Sequence, residues 1–168
     1  MSKARIVFER LAKHHAVKAF TCGNPELDGY LQLRASQDQR RGYATAIVAV
    51  RPGAAHEVLG FYTLSTASLN LTDLPEETTQ KLPRYGQVPA VLLGRLAVAT
   101  HGQGKGMGAL LLADALQRAY ASELAWAFFV VKAKDAQAAS FYQHFGFHSL
   151  ASAPLYLWIT RQQVAQLF

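Results

Sequence analysis

Cysteine is almost absent: Cys22 is the single one among 168 residues. One thiol excludes an intramolecular disulfide and a multi-cysteine zinc site, and a lone thiol is expected to be structural rather than catalytic. No apolar run reaches the ~20 residues that a membrane-spanning helix needs. The opening stretch, MSKARIVFERL, lacks the apolar core of a secretory signal. A cytoplasmic protein with no membrane partner is therefore expected. Internal repeats, low-complexity segments and linkers are missing too, which predicts one domain over residues 1–168. Acidic residues are few, 11 against 17 Lys plus Arg, leaving a formal net charge of +6. That surplus suits an anionic partner such as a nucleic acid or a phosphorylated cofactor, although basic surfaces also serve solubility alone. Hydrophobic residues are what the chain has most of, 51% against 17% charged, so it can bury a sizeable core and is not disordered.

The other elements are arranged around residues 93–112, LGRLAVATHGQGKGMGALLL. This stretch reads as a strand, a glycine-rich turn and the opening of a helix. Glycine lets the backbone approach a ligand closely, and a helix start offers unpaired N–H groups and a partial positive charge, a combination that binds phosphate.

Upstream, residues 6–11 read as a first strand, and His14–His15 as a solvated loop because no ligand cluster follows them. Asn24-Pro25 is a helix-start signal. Leu27, Tyr30, Leu31 and Ala35 then recur at helical spacing, and the helix should stop near Gly42. Residues 43–50 and 58–68 form a predicted hairpin around Pro52-Gly53, and residues 69–87 a long loop with a short helix near 76–81. Downstream come a central strand at 91–98, a helix at 107–122 and an apolar strand at 126–133 covered on both faces. Asp135 caps a helix carrying Ala138, Phe141, Tyr142 and Phe145, which Gly146 ends. A terminal hairpin, 147–150 with 155–159, precedes a short amphipathic tail. The order predicts a mixed α/β sandwich.

Three glycine-loop patterns compete for residues 103–109. A P-loop needs Ser or Thr after its lysine, and Lys105 is followed by Gly106. Gly104, Gly106 and Ala109 satisfy the dinucleotide pattern G-x-G-x-x-A, but they lie past mid-chain, and Glu123 precedes the next strand instead of ending it. The third pattern, Q/R-x-x-G-x-G/A, fits Gln103-Gly104-Lys105-Gly106-Met107-Gly108. It resembles the coenzyme A loop of the GNAT N-acetyltransferase superfamily. The resemblance covers about residues 92–150, through WAFFVVKA and the segment AASFYQHFGF. The earlier segment FTCGNPELDGYLQLRASQDQRRG is similar to the N-terminal helix of GNAT toxins that acetylate aminoacyl-tRNA. Asp135 departs from the asparagine found in many relatives.

The resemblance implies a GNAT fold: a central mixed, mostly antiparallel sheet with splayed central strands, flanked by helices. It implies acetyl-CoA, with the pyrophosphate on the backbone N–H groups of Gly104, Lys105, Gly106 and Gly108 in the loop that also holds Met107. Gln103 would donate at the loop entrance, where Lys105 neutralises phosphate. The pantetheine arm would follow Leu96, Ala97 and Val98, with the oxyanion donor near Val98. Tyr142 holds the place of the acid that protonates the leaving thiolate; by periodicity alone it is a core aromatic beside Phe141 and Phe145. For tRNA phosphates the candidates are Arg95 and Lys134 beside the cleft, then Arg40, Arg41 and Arg84, with Lys3, Arg5, Lys13, Lys18, Arg34, Lys81 and Lys132 as further ones. Implied partners are aminoacyl-tRNA, a ribbon-helix-helix antitoxin and a second copy in a homodimer; no metal is implied. Two other assignments stay open: a general GNAT enzyme acting on a small amine or a protein N-terminus, and a non-catalytic module that binds nucleic acid.

Overall fold

The computed structural model describes residues 5–168, so Lys3 lies outside the described residues. The chain divides into two compact units, Met1–Ser65 with Gly94–Ala115 and Thr66–Leu93 with Leu116–Phe168.

In the first unit, β1 (Val7–Arg10) pairs antiparallel with β2 (Thr45–Val50), and β2 pairs antiparallel with the start of β3 (Gly60–Asn70), giving the expected hairpin. The Asn24 side chain accepts from the N–H groups of Glu26 and Leu27 and opens α1 (Pro25–Leu33). The single helix expected as far as Gly42 is two. Arg34, with φ −123°, leaves the helical dihedrals before α2 (Ala35–Arg41), although its N–H still donates to the Tyr30 carbonyl; Gly42 closes α2 at φ 78°. No glycine or proline marks the break; its origin is tertiary. The Gln39 side chain donates to the Leu11 carbonyl and accepts from the Ala46 N–H, both at 3.0 Å, which draws α2 onto the β1–β2 end of the sheet. Phe20, Tyr30, Leu31, Val48, Phe61 and Ala97 form the core here, and Cys22 is buried among them.

Gly60 is needed for close approach. A Cβ there would lie 2.9 Å from both the Ala97 carbonyl oxygen and Leu111 Cδ1. Backbone cannot yield cheaply, so Gly60→Ala should cost about 1–3 kcal/mol of stability. Urea denaturation should show this as a lower midpoint at unchanged slope.

The solvated His14–His15 loop holds for His14 alone. His15 is buried; its Nδ1 accepts the Ala12 N–H at 2.9 Å, and its Nε2 lies 2.6 Å from a Glu9 carboxylate oxygen. An accepting Nδ1 puts the ring proton on Nε2, which donates to Glu9. The ligand atoms of Glu9, His14 and His15 lie within 4.8 Å of one another, but a protonated Nε2 has no lone pair for a metal. The sequence signal was Glu9, which precedes the histidine pair. The His15 hydrogen bond holds the Glu9 carboxyl below its ordinary range. A depressed folded pKa adds stability above the unfolded value, near ~4.3, and loses it as pH falls through the lower folded one. Glu9→Gln should therefore flatten the acid side of a plot of melting temperature against pH.

In the second unit, the first part of β4 (Gln87–Val98) pairs parallel with β5 (Phe128–Lys132), over Ala90–Leu93 against Phe128–Val131. β7 (Ala153–Thr160) pairs antiparallel with both β5 and β6 (His148–Leu150). Phe128, Phe129, Val130 and Val131 are all buried, as expected of an apolar run covered on both faces. Longer β3 and β4 strands shorten the expected 69–87 loop, which holds a 3₁₀ turn (Leu71–Asp73) and α3 (Glu76–Thr79). Asp135 accepts from the Ala138 N–H at 2.8 Å and caps α5 (Ala136–His144), and Gly146 follows at φ 97°. Leu69, Val88, Phe128, Val130 and Trp158 centre the core of this unit. α4 (Met107–Tyr120) belongs to both units in sequence, and α6 (Arg161–Ala165) opens with a capping box between Thr160 and Gln163.

The strands follow the order β1-β2-β3-β4-β5-β7-β6, with β4–β5 parallel and the other pairs given above antiparallel. The mixed, mostly antiparallel sheet of the sequence reading is thus present. Among the described residues no helix is long and apolar enough to cross a membrane.

Candidate active site

β4 ends at Val98, a 3₁₀ turn spans Thr100–Gly102, and α4 starts at Met107. The intervening loop is fastened to the first unit by its own backbone and side chains. The Ala99 N–H donates to the Leu59 carbonyl at 2.9 Å, and the Thr100 N–H and hydroxyl both reach the Thr21 carbonyl at 2.8 Å. Gln103 Nε2 donates to the Cys22 carbonyl at 2.7 Å and the Val98 carbonyl at 3.0 Å. An amide nitrogen carries two protons, and both are used. Gln103 thus donates at the loop entrance to the protein's own carbonyls and positions the loop.

Beyond this anchor the backbone alternates. Gly104 and Gly106 take φ of 80° and 83°, the left-handed region that only glycine enters without strain. The first helical bond runs from the Leu110 N–H to the Gly106 carbonyl at 3.2 Å. Among the described residues, the backbone N–H groups of residues 104–108 have no hydrogen-bond partner. A run of unpaired donors at a helix start suits a multiply charged anion. A Cβ at 104 or 106 would meet nothing within 4 Å, so conformation, not crowding by the protein, requires glycine there.

On β4, Ala97 is buried, and Leu96 and Val98 are half-buried. The Arg95 guanidinium carbon stands 3.5 Å from the centroid of the Tyr30 ring. Nothing in the sequence pairs these two residues; Tyr30 reads only as part of a helix stripe. Arg40 and Arg41 are exposed in the last turn of α2, Arg84 precedes β4, and Lys134 follows β5. Among the described residues none of these four forms an ion pair.

Tyr142 lies on α5 of the second unit. Its ring packs edge-on against Phe141 and Phe147, and its exposure is 4%. Burial alone pushes its hydroxyl well above the usual tyrosine value. That hydroxyl has no hydrogen-bond partner among the described residues, unlike most buried tyrosines. The ring is core, as periodicity suggests, while its polar end is left for something else.

An acetyltransferase (GNAT) domain matches residues 87–157. A tRNA-acetylating toxin of Mycobacterium tuberculosis (strain ATCC 25618 / H37Rv) is 34% identical over 160 residues, 94% of this chain and 93% of its own. AtaT complexed with acetyl-methionyl-tRNAfMet superposes at TM-score 0.89 with 28% identity, over 98% of this chain and 99% of that one. AtaTR bound with AcCoA gives 0.85 and 28%, over 97% and 98%. A mutant AtaT toxin bound to the C-terminus of the antitoxin AtaR gives 0.82 and 27%, over 97% and 98%.

Proposed function

The chain belongs to the GNAT acetyltransferases, and from that premise we propose that it transfers the acetyl group of acetyl-CoA to the α-amino group of aminoacyl-tRNA and so blocks translation. The observation that carries this reading is the row of unpartnered N–H groups at 104–108, shaped by two left-handed glycines, in a chain 34% identical to a tRNA-acetylating toxin. Acetyl-CoA supplies an activated thioester carbonyl.

The chain's own groups do the rest. The N–H donors of Gly104, Lys105, Gly106, Met107 and Gly108 hold the pyrophosphate, and the Lys105 ammonium offsets its charge. Gln103 keeps that loop in register with Val98 and Cys22. The main chain of Leu96, Ala97 and Val98 lies along the pantetheine arm. An α-amino group titrates near ~8, so part of it is neutral at physiological pH and no strong base is required. Tyr142 serves the departing sulfur. A thiol titrates near ~8.5 and an ordinary phenol near ~10, and burial raises this phenol further. Full proton transfer to the thiolate is therefore uphill. Tyr142 stabilises the developing charge by donating a hydrogen bond and keeps its proton, a refinement of the acid role inferred from sequence.

Arg95, Lys134, Arg40, Arg41 and Arg84 supply the phosphate contacts of the acceptor, and the last four form no ion pair among the described residues, which supports this. The toxin is cytoplasmic, homodimeric and neutralised by a ribbon-helix-helix antitoxin. It acts as one acetyltransferase domain, in keeping with a relative matched over 94% of the chain.

The test incubates purified protein with acetyl-labelled acetyl-CoA and a charged tRNA pool. Label on the amino group of aminoacyl-tRNA is expected. Label on free amines or peptide N-termini, with charged tRNA unmodified, would reassign the enzyme to another acceptor.

A further inference from the structure

Arg95 is a cation with a fixed direction and no anion. It sits on β4, next to Leu96, half-buried, with its guanidinium 3.5 Å above the Tyr30 ring. Among the described residues it has neither an ion pair nor a hydrogen-bond acceptor. A guanidinium withdrawn from water without an acceptor is costly, so such a group is expected to meet one in use. The Tyr30 ring stands against the guanidinium, whose N–H groups have no acceptor among the described residues. Such N–H groups grip phosphate through two parallel bonds.

Tyr30 is itself held. Its exposure is 5%, and its hydroxyl donates to an Asp38 carboxylate oxygen at 2.9 Å. Burial and that bond push the hydroxyl up to about 12, so the ring stays a neutral phenol. Donation to a carboxylate enriches the ring face in electron density, which strengthens its hold on a cation. Asp38 belongs to α2, whose last turn carries the exposed Arg40 and Arg41.

We infer that Tyr30 and Asp38 are positioning residues that hold the Arg95 guanidinium for a phosphate of the acceptor's nucleotide tail. This rests on the acetylation of aminoacyl-tRNA proposed above.

The experiment measures acetylation of aminoacyl-tRNA by the full chain across a salt series, with acetyl-CoA affinity measured separately by calorimetry. Arg95→Gln should raise KM for aminoacyl-tRNA about tenfold with kcat little changed, and should lower the salt slope of kcat/KM by about 0.7–1, the signature of one lost phosphate contact. Tyr30→Leu should reproduce both effects, and Tyr30→Phe, which keeps the ring, should bring KM back to within about threefold of the parent. Affinity for acetyl-CoA should hold in all three variants. An unchanged salt slope in Arg95→Gln overturns the inference while leaving the enzyme's reaction intact, as does Tyr30→Phe behaving like Tyr30→Leu. Failure of the parent protein to acetylate any aminoacyl-tRNA overturns both readings. Should Tyr30→Leu not fold, Arg95→Gln at its half-exposed position decides alone.

Discussion

Tyr142→Phe is expected to lower kcat by about 10²–10³-fold, the range for losing one hydrogen-bond donor aimed at developing charge, while acetyl-CoA binds as before. The environment of Tyr142 makes this a clean subtraction. The ring keeps its edge contacts with Phe141 and Phe147, and among the described residues the hydroxyl has no partner to abandon. No buried donor or acceptor is orphaned by the change, so the variant should melt within a degree or two of the parent. The pH profile separates hydrogen bonding from proton transfer. Burial raises the hydroxyl above the usual range, so the donor form persists through neutral and alkaline pH. The parent's kcat should therefore rise as the attacking amine loses its proton, and should show no falling limb near ~10, where a free phenol ionises. A falling limb at the ordinary tyrosine value would remove Tyr142 from this role. Stopped-flow single turnovers are the measurement of choice, since product release then cannot mask the chemical step.

Gly106→Val is expected to weaken acetyl-CoA binding by about 10–100-fold. At φ 83° a side chain carries left-handed strain of about 1–2 kcal/mol, and each 1.4 kcal/mol is a factor of ten in affinity. The added branches would also crowd a pyrophosphate held by the neighbouring N–H groups. Because a Cβ at 106 meets no protein atom within 4 Å, the loss should fall on the ligand more than on the fold. Gly53 supplies the control. It sits in the β2–β3 turn at φ 86° with equally open space. Gly53→Val should impose similar strain and a similar drop in melting temperature, with acetyl-CoA affinity unchanged. Equal losses of affinity in the two variants would show that the cofactor does not use the 104–108 donors.

The parts of this molecule that could be read from sequence are those whose physics is local. Asn24, Asp135, Gly42 and Gly146 are caps and stops whose side chains or dihedrals act within four residues, and all four occur where expected. The glycine loop was legible for the same reason: two left-handed positions and a helix start are adjacent in the chain. What stayed hidden depends on partners far apart. The α1–α2 break follows from Gln39 bridging to Leu11 and Ala46. The Gln103 amide is consumed by a carbonyl at Cys22, and Arg95 finds its platform at Tyr30. His15 looked solvated because its partner, Glu9, lies upstream in a strand.

The carbonyls of Thr21 and Cys22 just ahead of α1 accept three bonds from Thr100 and Gln103. The entrance to the proposed cofactor loop is thus anchored when the polypeptide folds, before any acetyl-CoA arrives. Little ordering entropy then remains to oppose association, so capture should proceed in one step, at a rate that grows linearly with concentration and never levels off.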